Sequence, residues 1–340
     1  MGKDTSAGVL SHVEHTILPG FMNKMRPTCL NVVYRDDPPQ EVFIQLMRSA
    51  YASDLWSLAE TDFCMWKRVF GRRFHMLVAY DEASFYPIGC ICSATYNHRR
   101  RNAKTTVLGL YYVRKEFRGK GIGNELFRRI ISNKKDHNLY LNGMSYMVEK
   151  YRIHYDFVVT TPWRVVWYQI RPQDVCQDTP SSTHDDHVTI LPVTMTNLPC
   201  LLDYDSSLQG DLDRTAYIQA FVMQPCADSK LAFCEGKTVG VGVARLLIND
   251  ELFIGPLYAD TFEIARALLY SLLHGRYLGH YRNVQMQIPS VNESGSRLVE
   301  EISRGRCMTD DFTQGLSTKF RVDTDPSRIY STTEYDVSIV

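Results

Sequence analysis

Residues 106–131, TVLGLYYVRKEFRGKGIGNELFRRII, constrain this chain more than any other stretch. The apolar run 107–113 reads as a buried strand. A charged turn follows, and then Gly119, Gly121 and Gly123 stand at every second position. From there Ile122, Leu126, Ile130 and Ile131 recur at helical spacing, with Arg128 and Arg129 off that stripe. A strand, a glycine turn and a helix start form a physical device. The glycines let backbone N–H groups approach a ligand closely. The first turn of the helix presents unpaired N–H donors and the positive end of its dipole. Together they make an anion site suited to a diphosphate.

The spacing excludes two common diphosphate loops. No Ser or Thr follows Gly119-Lys120, so this is not a Walker A loop. Gly123 comes one residue too early for the dinucleotide fingerprint G-x-G-x-x-G. What remains is R-x-x-G-x-G, from Arg118 through Gly121 to Gly123, behind a strand ending at Val113 and before Leu126. This pattern resembles the acetyl-CoA signature of the GNAT superfamily of N-acetyltransferases, with Phe117 where the family often has Tyr. The resemblance implies a mixed α/β sheet and acetyl-CoA as cosubstrate. It assigns cofactor binding to Tyr111, Tyr112, Val113, Arg118, Gly119, Lys120, Gly121, Ile122, Gly123 and Asn124. In that assignment the backbone of Tyr111 and Val113 pairs with the pantetheine arm and polarises the thioester carbonyl. The amides of 119–124, with Arg118, hold the diphosphate. Lys120 reads equally well as a solvated loop charge.

Acyl transfer to an amine needs an acid for the leaving thiolate and a route for the amine proton. The resembled family often places the acid on a Tyr in the helix before a Gly-Phe pair. Here Tyr151 is in register, Asp156 replaces the glycine, and Tyr155 is a rival. Relatives acting on histones carry a Glu six residues before the position of Val113, where this chain has Val107. A base therefore has to come from elsewhere; Glu41, Asp62, His75 and His98 are candidates without further support. An amine that arrives neutral needs none. The missing Glu also keeps a catalytically inactive, CoA-binding regulatory or scaffold protein in view. No metal site is expected.

At 340 residues, two domains are the prior. Residues 1–29 read as a flexible arm, 30–171 as the catalytic GNAT unit, 172–187 as a Pro- and Ser-bearing linker, 188–330 as a second unit and 331–340 as a fraying tail. Within the first unit, a second helical stretch is expected over 54–70. The second unit repeats the order hairpin, strand, helix, strand, helix, but Tyr258-Ala259-Asp260-Thr261 stands where the glycine loop would be. It resembles the C-terminal domain of YitH-type acetyltransferases through Ile254-Gly255-Pro256-Leu257, Tyr258-Ala259, Ile288-Pro289 and Asn292. It is expected to be a degenerate GNAT-like half that closes one side of the substrate cleft. The two-unit plan also resembles a divergent group of nematode GNAT-like proteins.

Lys plus Arg and Asp plus Glu both number 38, so overall charge favours neither nucleic acid nor membrane. The local run His98-Arg99-Arg100-Arg101 keeps a nucleic-acid-associated modifier as a rival, although a solvated loop is the plainer reading. Nine cysteines without a C-x-x-C read as reduced packing residues of an intracellular protein. Residues 1–6 fit the loose N-myristoylation pattern, which anchors poorly alone. The expectation is a cytoplasmic or nucleocytoplasmic N-acetyltransferase acting on a small-molecule or peptide amine, without a membrane partner.

Overall fold

A computed structural model describes residues 31–177 and 187–340. The expected arm, its myristoylation pattern and most of the linker lie outside the described residues. The first half runs β1 (Val32–Asp36), α1 (Gln40–Asp54), α2 (Asp62–Phe70), β2 (Phe74–Asp81), β3 (Pro87–Asn97), β4 (Lys104–Val113), α3 (Ile122–Ile131), β5 (Asn138–Met144), α4 (Val148–Tyr155) and β6 (Val159–Ile170). The second runs β7 (Val188–Pro192), α5 (Leu198–Leu208), α6 (Thr215–Val222), β8 (Ala227–Cys234), β9 (Lys237–Leu247), β10 (Glu251–Ala259), α7 (Phe262–Leu273), β11 (Val284–Pro289), α8 (Glu293–Ser303), β12 (Cys307–Ser317) and β13 (Ile329–Ser331). This is the mixed α/β plan, twice over.

The helices form where the apolar stripes fall. Phe43, Leu46, Met47 and Ala50 are the buried face of α1, and Ile122, Leu126, Phe127 and Ile130 that of α3. One expected boundary moves. The helix anticipated from residue 54 begins at Asp62, because Leu55 takes a left-handed φ of 56° and ends α1. Residues 55–61 become a loop that carries Trp56 to the site described below.

Among the described residues the strands form one sheet, ordered β1-β2-β3-β4-β5-β12-β6-β11-β10-β9-β8-β7, with β13 paired to β10. The halves exchange strands at its centre. β12 of the second half lies between β5 and β6, and β6 of the first lies between β12 and β11. Each half thus completes the other's ladder, which leaves no open edge in the middle. The division expected at residue 171 is therefore not a boundary between separate bodies. Side-chain pairs lock the halves further: buried Arg245 on β9 pairs with Asp62 on α2, and half-buried Tyr51 donates to Glu251 at 2.5 Å. The arginine run also lies on this seam. Arg101 bonds Asp211 at 2.7 Å and Arg99 bonds Ser206 at 2.8 Å, so these two side chains clasp the other half instead of forming a free basic patch.

The expected fraying tail is the largest correction. Residues 331–340 are buried throughout. Tyr335, Val337 and Ile339 alternate into the core shared by α1, α2, α5 and α6. The polar residues between them have partners. Arg214 donates to Thr333 (3.1 Å), Ser338 (3.0 Å) and the Val340 main-chain oxygen (2.6 Å). Tyr217 donates to Glu334 at 2.6 Å. Apolar burial and satisfied polar groups together make this segment part of the core.

Candidate functional site

The two halves differ at the same point of their sheets. Parallel β4 and β5 pair only over Thr105, Thr106 and Val107, and then diverge. Parallel β10 and β11 pair only at Leu252 and Phe253 before they too diverge. In the second half the chain fills its own opening: β13 pairs with β10, and Thr332 N–H donates to the Gln287 carbonyl at 2.9 Å. The helix beyond that opening is self-capped, Thr261 accepting from Ile264 N–H at 3.3 Å. In the first half the opening leads into a cavity of about 460 Å³.

The glycine turn forms the mouth of this cavity. Gly119 and Gly121 have φ of 77° and 82°, a region that L side chains enter at a cost. Gly123 is required for a different reason: a Cβ there would lie 2.6 Å from the Tyr111 hydroxyl. The amides of residues 119–124 donate to no acceptor among the described residues. Six successive unpaired N–H groups at a helix start with no side-chain cap form an anion cradle.

The cavity wall continues along β4. Opposite Ile91 the strand bulges, with Leu110 at φ 51°. Tyr111, Tyr112, Val113, Arg118, Gly119, Gly121, Ile122, Gly123 and Asn124 all line the cavity, as does Tyr151. Lys120 does not; its ammonium lies 5.1 Å from the Phe117 ring centre, and the residue is exposed. Arg118 is committed elsewhere than expected. Its Nε donates to the Val113 carbonyl at 2.7 Å, and its guanidinium holds Asp54 at 2.5 Å. Burial works against ionisation of Asp54, but the bonds from Arg118 and Ser53 hold its carboxyl below the usual range. Arg118 thus braces the loop against α1.

The two tyrosines separate. Tyr155 is not in the lining and donates to Asn124 Oδ1 at 2.5 Å, which fixes the start of α3. Tyr151 is buried among Tyr111, Phe127 and Phe157, faces the cavity, and has no hydrogen-bond partner among the described residues. Burial, with Tyr111 second, drives its phenol far above the ordinary value, so it stays protonated.

None of the four candidate bases lines the cavity. Asp62 is spent on Arg245, His75 bonds Asp36 at 3.1 Å, His98 bonds Thr105 at 2.9 Å, and Glu41 is exposed on α1. The carboxylate present came from the tail. Asp336 Oδ1 accepts the Leu110 N–H at 2.7 Å, and its Oδ2 accepts from Trp56 Nε1 at 3.3 Å. A Cβ on Gly109 would meet the Asp336 main-chain oxygen at 2.0 Å, so glycine there lets the tail lie on the bulge. No spacing rule connects residue 336 to residue 110; only the alternation of residues 335–339 hinted that the segment is packed at all.

Two family models match the chain: Acetyltransferase (GNAT) family over residues 40–145, and Acetyltransferase (GNAT) domain over 201–309. The chain belongs to the GNAT acetyltransferases. A putative acetyltransferase from Pyrococcus horikoshii superposes with a TM-score of 0.65 at 19% identity, covering 93% of this chain and 99% of that one. A tandem GNAT protein from the clavulanic acid biosynthesis pathway gives 0.59 at 11%, covering 84% and 98%. These likenesses are of fold. An uncharacterized Caenorhabditis elegans protein is 27% identical over 188 residues, 54% of this chain; the match spans 57% of that protein's length.

In this tandem GNAT chain the tail carboxylates affect stability as well as the site. Burial, followed by Glu334, pushes Asp336 well up. Burial raises Glu334 to about 7 against its bonds from Tyr217 and the tail amides. Raised carboxyl groups favour the folded chain when protonated. The Glu334 contribution is full below pH 4.5, the ordinary Glu value, and is lost as pH rises through about 7. Urea midpoints should therefore fall between pH 5 and pH 8 in the wild type, and Glu334→Gln should flatten that fall. Equal slopes in the two proteins would contradict this assignment.

Proposed function

We propose that the chain is an acyl-CoA-dependent N-acyltransferase, with acetyl-CoA as the default donor, in which an amine attacks the thioester directly within a ternary complex. The supporting observation is the cradle of six unpaired amides at 119–124, opening onto a cavity walled by β4 beyond Val107, where it leaves β5. These residues fit the group: the amides suit a diphosphate, and that stretch of β4 suits an amide-bearing pantetheine arm. Bound acetyl-CoA supplies the activated acyl carbon. The protein's part is to orient it and to manage two protons. Tyr151, protonated and unpartnered in the lining, is placed to protonate the departing thiolate. Arg118 is a positioning residue held by Asp54. The second half, whose own opening β13 fills, contributes Thr313 on β12 and Tyr335 and Asp336 of the tail to the cavity wall.

One observation favours a second reading. Asp336 occupies the Leu110 amide, which a thioester oxygen could otherwise take. A CoA-binding regulatory protein without turnover would bind acetyl-CoA and release no thiol with any amine. Thiol release across an amine and peptide panel decides between them. For the enzyme, Tyr151→Phe should lower kcat on the order of a hundredfold while leaving the acetyl-CoA Kd within about twofold. Unchanged kcat would remove Tyr151 from the chemistry.

A further inference from the structure

Beyond Tyr151 the cavity ends against the exchanged strands, and polar atoms there are left without partners. Asn142 Nδ2 on β5 and Trp167 Nε1 on β6 are buried in the cavity wall with no hydrogen-bond partner among the described residues, beside the facing hydroxyls of Thr313 on β12 and Tyr335 of the tail. The Asn142 amide is oriented, since its Oδ1 accepts from Tyr140 at 2.9 Å. The Trp167 and Tyr335 rings stack with centroids 6.0 Å apart. An isolated orphaned donor is a packing cost, whereas two donor-only groups on neighbouring strands around one cavity end, beside two hydroxyls, form a set suited to a ligand. Their natural complement is an oxygen with free lone pairs. The one carboxylate at this end is Asp336, which faces the bulge of β4.

We infer that this blind end is the acceptor subsite, that it takes a small primary amine carrying a carboxylate or amide oxygen a few bonds from nitrogen, and that Asp336 receives the amine's proton. The class is that of an amino acid or amino-acid amide. The inference rests on the acyltransferase reading above. Size supports it: a cavity of about 460 Å³ must also admit the thiol end of the donor. Coverage supports it too. The tail backbone lies against Gly109 and Gly255, whose missing Cβ atoms would meet tail carbonyl oxygens at 2.0 and 2.1 Å, so the tail covers the sheet on that side. In the reaction the thioester oxygen takes the Leu110 N–H, which frees the Asp336 oxygen. The amine nitrogen then bonds to the acyl carbon as the carbon–sulfur bond breaks. One proton passes from nitrogen to Asp336, and one passes from Tyr151 to the thiolate.

The test has two stages. Calorimetry with acetyl-CoA comes first; a wild type that does not bind it overturns the acyltransferase reading and this inference with it. The CoA-loaded protein is then titrated with matched pairs such as phenylalanine amide and phenethylamine, or tyrosine and tyramine. The oxygen-bearing member should bind at least about tenfold tighter. Trp167→Phe, which deletes one N–H, should remove about fivefold of that preference with acetyl-CoA affinity unchanged. Asp336→Asn should keep amine binding, lower kcat about a hundredfold and abolish the acid limb of the pH–rate profile. Intact acetyl-CoA binding with equal affinity for both members of each pair, or a preference untouched by Trp167→Phe, overturns the subsite. A rise in activity in Asp336→Asn overturns its role as base and marks the tail carboxylate as a blocker of the thioester.

Discussion

Gly121→Glu is expected to weaken acetyl-CoA binding at least about a hundredfold while the chain still folds. Three effects act together. A Cβ at this position meets nothing within 4 Å, so the side chain enters open space at its base. A non-glycine residue at φ 82° strains the turn by roughly 1–2 kcal/mol and draws the cradle out of shape. The added carboxylate also sits among amides arranged for an anion and repels the diphosphate. Calorimetric affinity beside an unchanged far-UV spectrum, with the urea midpoint lowered by no more than that strain, checks the prediction. Gly119→Glu, at φ 77° and equally unobstructed, should behave alike. Wild-type affinity in either variant would remove the loop from the donor site.

Arg214→Met is expected to be the most destabilising single change outside the cavity, by about 3–5 kcal/mol. Arg214 is buried beneath the tail, where it pairs with Asp205 and donates to Thr333, Ser338, the Val340 main-chain oxygen and Tyr258. Removing it leaves the Asp205 charge uncompensated and several acceptors unsatisfied at once. Replacing both partners, Asp205→Leu with Arg214→Met, should recover a substantial part of the loss, because the stranded charge is gone. Denaturant unfolding of the single and double variants measures this. A single variant within about 1 kcal/mol of wild type would show that the tail does not depend on this anchor. Because the tail carries Tyr335 and Asp336, the same variant should also lose acceptor binding before donor binding.

The donor cradle was legible because it is local. Strand, glycine turn and helix follow one another within residues 106–131, and each carries its own signal: apolar run, left-handed glycines, helical spacing. The second half's plan and its missing loop were legible for the same reason. The acceptor end was not. Trp56 arrives on a loop set by the left-handed Leu55, Trp167 and Thr313 on strands the halves exchange, and Asp336 on a tail that packs 226 residues away from Leu110. Pairings at such separations leave no periodicity to read. Glu41, Asp62, His75 and His98 lie off the cavity lining, whereas Asp336 reaches it from a segment that carries no local motif.

Selective ¹⁵N-glycine labelling with an acetyl-CoA titration tests, at the atoms themselves, whether the main-chain amides past Phe117 hold the diphosphate of an acyl-CoA. The amide signals of Gly119, Gly121 and Gly123 should move furthest and saturate together, while Gly236 and Gly275, turn glycines outside the cavity lining, stay in place. Saturable binding that leaves the three loop glycines unshifted would contradict it.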